Sequence, residues 1–359
     1  KISLLLLLSA IQSATFVIIA NSILEIRGMY FDYWLVLFST AVCANLLGLN
    51  ISASFNSAIT IYIVIPLLMI PMMVLSGAMF SFEKLNRSVG SFNRVPLIAE
   101  FMITKWGYEA LVVHQYKDNA FQKIFYDIDK VINNANYKTV YYIDELEKRA
   151  TDLIDLLPQK DNPEVQKKIA DKLAVLRKAI INETTYESPS ITFNSLNKLS
   201  INTIDEATVY AIFDYLDRLK SHYSDIYSTQ SQKRERMISF LVNNNRELYE
   251  AKRRAYDNES LADLATKTFE KNKIVQYGDE LVQQYDPVYR DPIPRHYLDF
   301  RSHFLAPRKH FLGMYFDTFW FNLVIIWLMT IALYITLYYE SLKKLLDFLG
   351  KIKIPTLKK

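Results

Sequence analysis

Residues 59–80 read ITIYIVIPLLMIPMMVLSGAMF, a run without a single charge. A helix crossing the hydrocarbon of a bilayer needs about 20 apolar residues, so this run is long enough to span. Pro66 and Pro71 lie inside it. Each removes a backbone donor and crowds the turn before it, which a bilayer tolerates where neighbouring helices satisfy the freed carbonyls. The span is therefore expected to pack inside a bundle. Ser76 and Gly77 permit a bend or a close helix contact, and Glu83 and Lys84 place charge at the membrane edge. Residues 95–113 are apolar again, but Glu100, Lys105 and Glu109 interrupt them. That pattern predicts an element lying in or dipping into the interface.

The averaged composition, 51% hydrophobic and 22% charged over 359 residues, hides two regimes. Residues 1–113 and 315–339 are membrane-like, and residues 114–310 are water-like. A net charge of +4 with no basic stripe among interleaved aromatics argues against nucleic acid. Cys43 stands alone and builds no disulfide framework; it reads as a small buried apolar residue. The chain opens on a lysine and an apolar run with neither an initiating methionine nor a clean cleavage pattern, so it is expected to begin inside a longer polypeptide.

Four crossings are expected, over residues 2–20, 33–55, 59–80 and 315–339. Serines and Gln12 in the first are expected to face other helices. Tyr30, Tyr33 and Trp34 fit an interfacial aromatic belt before the second. Asn56-Ser57 forms a tight turn into the third. Between residues 114 and 310, apolar residues recur at helical spacing, as in Val165, Ile169, Leu173, Leu176 and Ile180. Asn162 before Pro163 reads as a helix cap, and Thr203 to Glu206 as a capping box. Only residues 185–200 look irregular or stranded. Prolines 287, 292, 294 and 307 predict an extended return to the membrane. The lysine-rich tail after residue 340 is placed in the cytoplasm by the positive-inside rule, which makes the helical domain extracytoplasmic. The abundance of asparagine, lysine and tyrosine suggests an AT-rich bacterial genome, hence an inner-membrane protein with a periplasmic domain. The fold class is all-α: a polytopic helix bundle with re-entrant helices (1–113), an inserted helical extracytoplasmic domain (114–310), a final transmembrane helix (311–340) and a basic cytoplasmic tail (341–359).

The stretches ANLLGLNISASFNSA (44–58), IPLLMIPMMVLSGAMFSFEKLN (65–86) and KWGYEALVVHQY (105–116), in this order, resemble the membrane half of G-subfamily ABC-type exporters and their bacterial relatives. The resemblance covers residues 1–116 and 315–340; the large insert between them departs from it. It implies a permease working as a symmetric pair with a second copy or a homologous half. ATP and Mg²⁺ are then expected on a nucleotide-binding domain, since this chain has eight glycines and no G-x-x-x-x-G-K-[ST] loop. That domain would precede Lys1 or belong to another polypeptide, and two further helices would precede Lys1. Lipid or another amphiphile is the cargo the resemblance implies.

Candidate site residues follow. Asn45 and Asn50 line a cavity between halves or, in the simpler reading, hydrogen-bond neighbouring helices. Ser76, Gly77, Ala78 and Met79 fall where the family closes its pathway outward, although alanine is not bulky. Glu83, Trp106, Gly107, Tyr108 and Glu109 form the expected re-entrant and gate region, with pairing of Glu109 to Lys105 as the simpler reading. Arg301, Arg308 and Lys309 are expected to meet lipid phosphates. His296, His303 and His310 are spaced by seven, but the prolines around them argue against one continuous helix and against a metal site. No catalytic arrangement is visible. Membrane lipids and a periplasmic partner of the 114–310 domain complete the expected partners. Two rivals remain: a membrane-anchored receptor or assembly scaffold, and a membrane-embedded transferase. The prolines and the polar second span speak against the first, and the lack of clustered His, Asp or Glu against the second.

Overall fold

The computed structural model describes residues 1–55, 57–82 and 94–351. In chain order the helices are α1 (Ile2–Ile23), α2 (Tyr30–Ser54), α3 (Ala58–Val74), α4 (Leu97–Glu100), α5 (Ile103–Lys117), α6 (Gln122–Tyr137), α7 (Ile143–Leu156), α8 (Pro163–Asn182), α9 (Glu206–Tyr256), α10 (Glu259–Thr266), α11 (Thr318–Tyr338) and α12 (Ser341–Lys351). Two antiparallel hairpins interrupt this all-helical plan: β1 (Ile274–Tyr277) with β2 (Glu280–Gln283), and β3 (Arg308–Phe311) with β4 (Met314–Asp317). The chain forms two compact units. One comprises Lys1–Gln122, Arg253–Leu261 and Asp291–Lys359; the other comprises Lys123–Lys252 and Ala262–Arg290. Residues 291–310, grouped by the sequence reading with the helical domain, fall in the first unit.

In the first unit, α1, α2 and α11 are long and apolar enough to cross a membrane. The third crossing, predicted over residues 59–80, is cut short, because α3 stops at Val74. There the Ser76 hydroxyl donates to the Met73 carbonyl at 2.7 Å and accepts the Ala78 N–H at 3.1 Å. Gly77 then turns into the left-handed region at φ +81°. The remaining 17 residues reach about 26 Å, at the lower limit for crossing. Pro66 and Pro71 sit inside α3 without ending it. The expected burial in a bundle is not met within one chain: α3 touches α2 and α5 but buries no residue.

Elsewhere the polar stripes do face helices. α1 buries Ser9, Ser13, Val17 and Asn21, four apart on one face, and packs on α2. α11 packs on α2 and α5. Its start is later than the predicted Tyr315. Residues 314–317 pair as a strand, and Asp317 caps the helix by accepting the Phe319 N–H at 3.0 Å. α12 gives the first part of the basic tail a helical form not foreseen from sequence; residues 352–359 lie outside the described residues.

The second unit has its own core, built from the predicted stripes of α7, α8 and α9. Ile143, Leu146, Leu153, Ile169, Leu176, Val209, Ile212 and Leu216 are all buried in it. Asn162 caps α8 as predicted, accepting the Glu164 N–H at 3.0 Å. The capping box is displaced by two residues. Asp205, not Thr203, accepts the Thr208 N–H at 2.8 Å, because Thr203 is engaged with Ser200. α9 kinks at Asn245, whose φ of −163° and ψ of 93° break the helix and whose side chain caps Leu248. Residues 185–200 contain no strand. α8 instead runs into a π-turn over Glu183–Glu187 and ends in turns.

Candidate functional site

α5 is the centre of the first unit's polar structure. Lys105 and Glu109 are four residues apart, so they share one helix face. That face also meets Glu100 at the end of α4, Lys309 of β3 and Asn322 of α11. Lys105, Glu109 and Asn322 are fully buried, and Lys309 is 1% exposed. One oxygen of Glu109 accepts from Lys309 Nζ at 2.7 Å and from the Leu305 N–H at 3.0 Å. The other faces Lys105 Nζ at 3.2 Å and accepts from Asn322 Nδ2 at 3.1 Å. Lys105 also donates to Glu100 at 3.0 Å, and its ammonium lies 3.4 Å from the centre of the Trp106 ring. Lys309 is completed by the Ser302 hydroxyl at 2.6 Å. Two acids and two bases therefore neutralise each other, and every oxygen of Glu109 has two donors. This balance is what permits so many charges to be buried, since an unpaired buried ion costs several kcal/mol.

A loop plugs into this face. Residues 302–306 are buried. Leu305 takes φ +63°, which turns its N–H to Glu109. Phe304 meets Tyr108 in a stacked contact at 6.2 Å and Phe82 edge-on at 5.0 Å. A Cβ on Gly77 would collide with the Phe304 ring, so this glycine is required both for its positive φ and for the close approach. Gly107 has a similar role toward α2, where a Cβ would lie 2.9 Å from Thr40 Cγ2. Arg94 forks onto Asp299 at 3.1 and 2.6 Å and Arg301 donates to the Val95 carbonyl at 2.7 Å, so the loop is held at a second point. Burial alone would raise the Asp299 carboxyl, but the Arg295 N–H and Arg94 hold it below the usual carboxylate range.

The structure gathers some predicted residues and disperses others. Trp106, Gly107, Tyr108 and Glu109 gather around the loop, joined by Gly77. Trp106 donates from its indole to the Glu100 carbonyl at 2.8 Å. Ala78 and Met79 are exposed beyond the end of α3. Glu83 lies outside the described residues, as does Asn56. Asn45 donates to Ser9 Oγ of α1 at 2.6 Å. Asn50 donates to the Leu333 carbonyl of α11 at 2.9 Å and accepts from Thr336 at 3.1 Å. Both are thus engaged between helices of one chain. Among the three basic residues assigned to lipid phosphates, Arg308 is exposed, Arg301 is partly buried and Lys309 is inside the charge cluster. His296 is on a loop surface, whereas His310 is buried and faces the Asp299 carbonyl at 3.0 Å. Among the described residues no three His, Cys, Asp or Glu side chains converge as metal ligands. Sequence reasoning missed Asn322, Leu305 and the inward turn of Lys309. The one available signal was the lone Asn322 in an otherwise apolar span.

The geometry is that of a brace: it joins two helices of the N-terminal part to a strand, a loop and a helix some 200 positions later. Comparison with known proteins places the N-terminal part. Residues 1–116 match the ABC-2 type transporter family. The match runs from α1 to one residue before the end of α5, and so contains Glu100, Lys105 and Glu109 of the cluster. No curated protein and no solved structure matches the chain. With its apolar helices, the chain is an integral membrane protein whose residues 1–116 are similar to the membrane domain of ABC-2 type transporters.

Proposed function

We propose that this chain is the transmembrane part of an ATP-driven exporter that moves a lipid or another amphiphile by alternating access between two halves. The observation that carries the reading is the match of α1–α5 to the ABC-2 type. Permease regions of this type typically partner with a nucleotide-binding domain, which would bind ATP and Mg²⁺ and drive the two halves. α3, free of charged residues and without a buried residue, supports a second half or lipid beside it. In this reading the pathway runs along α2 and α3 past Ser76–Met79. The charge cluster keeps α5 and the 302–306 loop moving as one body at its end. The second unit stands on the extracytoplasmic side, where it receives cargo or docks a partner.

The test is ATP hydrolysis by the full-length protein with its nucleotide-binding domain in lipid nanodiscs, titrated with native envelope lipid fractions. Hydrolysis that rises with one fraction is the expected result and begins to define the cargo. A folded, complete assembly that hydrolyses no ATP overturns the reading in favour of a scaffold whose second unit binds a partner.

A further inference from the structure

The β3–β4 hairpin has an unusual exposure pattern for a piece of chain next to a transmembrane helix. Lys309 and His310 of β3 are buried, whereas Met314, Tyr315 and Phe316 of β4 are all exposed, on both faces of the strand. β4 is thus an edge strand, apolar and aromatic, that presents itself away from the protein. At its turn Leu312 is exposed as well. A second loop continues this surface. Tyr297 lies against the turn, 2.9 Å from where a Cβ on Gly313 would be, and Tyr315 donates to the Pro292 carbonyl at 3.2 Å. Ile293 at 74% and Tyr297 at 64% exposure extend the apolar area, with Arg295 and Arg308 exposed beside them.

The place of the hairpin is set by α11. β4 ends at Asp317 and α11 begins at the next residue. The hairpin does not reach away from the helix either. The rings of Phe311 and Phe316 both lie 6.4 Å from Phe321, in the first turn of α11. Trp320, 57% exposed, stands at this end, and Tyr338 and Tyr339 stand exposed at the other. From Trp320 to Tyr338 a helix rises about 27 Å, close to the hydrocarbon thickness, so these aromatics mark the two interfaces. With α11 across the bilayer, the hairpin is expected at headgroup depth. At that depth aromatic and thioether side chains find an apolar partner, and the open strand edge finds hydrogen-bonding headgroups and water.

We propose that the β3–β4 hairpin and the adjoining 293–298 loop form a membrane-interface anchor: their apolar side chains enter the boundary of the bilayer and Arg295 and Arg308 meet lipid phosphates. The occupant is the bilayer because the exposed strand runs directly into α11, an apolar helix long enough to cross a membrane whose Trp320 and Val324 are also exposed. The proposal depends on α11 crossing the membrane and not on transport. Anchoring this hairpin fixes the loop from which Leu305 and Lys309 reach Glu109, so lipid contact bears on the charge cluster directly.

The test uses the full chain in liposomes. Met314→Cys is placed in a Cys43→Ala background and labelled with an environment-sensitive fluorophore. Val324→Cys serves as the lipid-facing reference, and Tyr297→Cys repeats the measurement should the first variant fail to fold. Lipids with a nitroxide near the headgroup are expected to quench the label at position 314 about twofold, and more than lipids with the nitroxide at the acyl end. Quenching by aqueous iodide without quenching by either lipid overturns the proposal. So does shielding from both together with energy transfer between labelled chains, which assigns the surface to a second copy.

Discussion

Both units bury lysine against glutamate, and they do so differently. In the first, Lys105 and Lys309 balance Glu100 and Glu109, and the four come from α4, α5 and a strand 200 residues later. In the second, Lys138 alone meets two carboxylates, Glu183 and Glu187 at 3.3 Å for the latter. Tyr223 donates to Glu183 at 2.7 Å and accepts from Ser188 at 3.1 Å. Here the partners lie on two π-turns, Lys138–Tyr142 and Glu183–Glu187, each inserted where a helix run would otherwise continue. Burial works against the charge of Lys138, but Glu183 and Glu187 hold it well above the usual lysine range. Glu183 is 1% exposed and Glu187 is 33% exposed. The first cluster is closed and balanced, so no member is dispensable. The second is open at one side, with one carboxylate essential and one at the solvent edge.

The largest test of this contrast is Glu109→Gln. It leaves Lys309 without a carboxylate and Lys105 with Glu100 alone, and it is expected to cost about 3–5 kcal/mol. Thermal unfolding of the nanodisc-reconstituted protein reads the loss. Lys309→Met added to Glu109→Gln should recover part of it. A variant that melts like the parent would show that the cluster does not hold the loop.

A smaller effect separates the units by pH. Asp286 of the second unit is buried, which pushes its carboxyl from 3.8 to about 7, and Lys273 offsets only part of this. As pH rises from 4 to 7 the unfolded chain releases this proton while the folded chain keeps it. The group therefore progressively destabilises the fold over that window, and the cost is constant above it. Asp286→Asn, which tolerates the φ of +53° at this position, removes the slope. It should raise stability at pH 8 by roughly 2–4 kcal/mol and leave it unchanged near pH 3. Denaturant titrations at the two pH values measure this; a variant whose gain is the same at both would sink the assignment to Asp286.

Within the second unit, Glu183→Gln should cost roughly 2 kcal/mol, less than a complete break because Glu187 still faces Lys138. Glu187→Gln should cost less than about 1 kcal/mol, as water screens that side. Equal losses in the two variants, measured by the same titration, would mean that the cluster is not open at one side.

Much of this was legible in the chain. Charge-free runs placed α1, α2 and α11, and helical spacing placed the core of the second unit. Those patterns are local, and burial in lipid or in a core follows them directly. Other features were legible only as oddities. The three charges that interrupt residues 95–113 predicted an interfacial element. All three are also buried within the protein, because Lys309 and Asn322 arrive from elsewhere to satisfy Glu109. The β3–β4 hairpin went unseen because residues 308–317 carry neither the Asn-Gly turn nor the alternation that signals a half-buried strand. Thr203 looked like a cap until its hydroxyl found Ser200 and Asp205 took the role.

The sequence by itself determined the partition between lipid-facing and water-facing chain, because transfer of apolar side chains out of water is additive and needs no partner. Tertiary structure alone decided which charges are buried, where α3 ends and which face of the return segment is left open. Each of these depends on whether a second group, distant in the chain, comes within hydrogen-bonding or van der Waals distance. Glu109 is the clearest case. From its neighbours in sequence it is an acid at a membrane edge; from its neighbours in space it is the point where four donors meet.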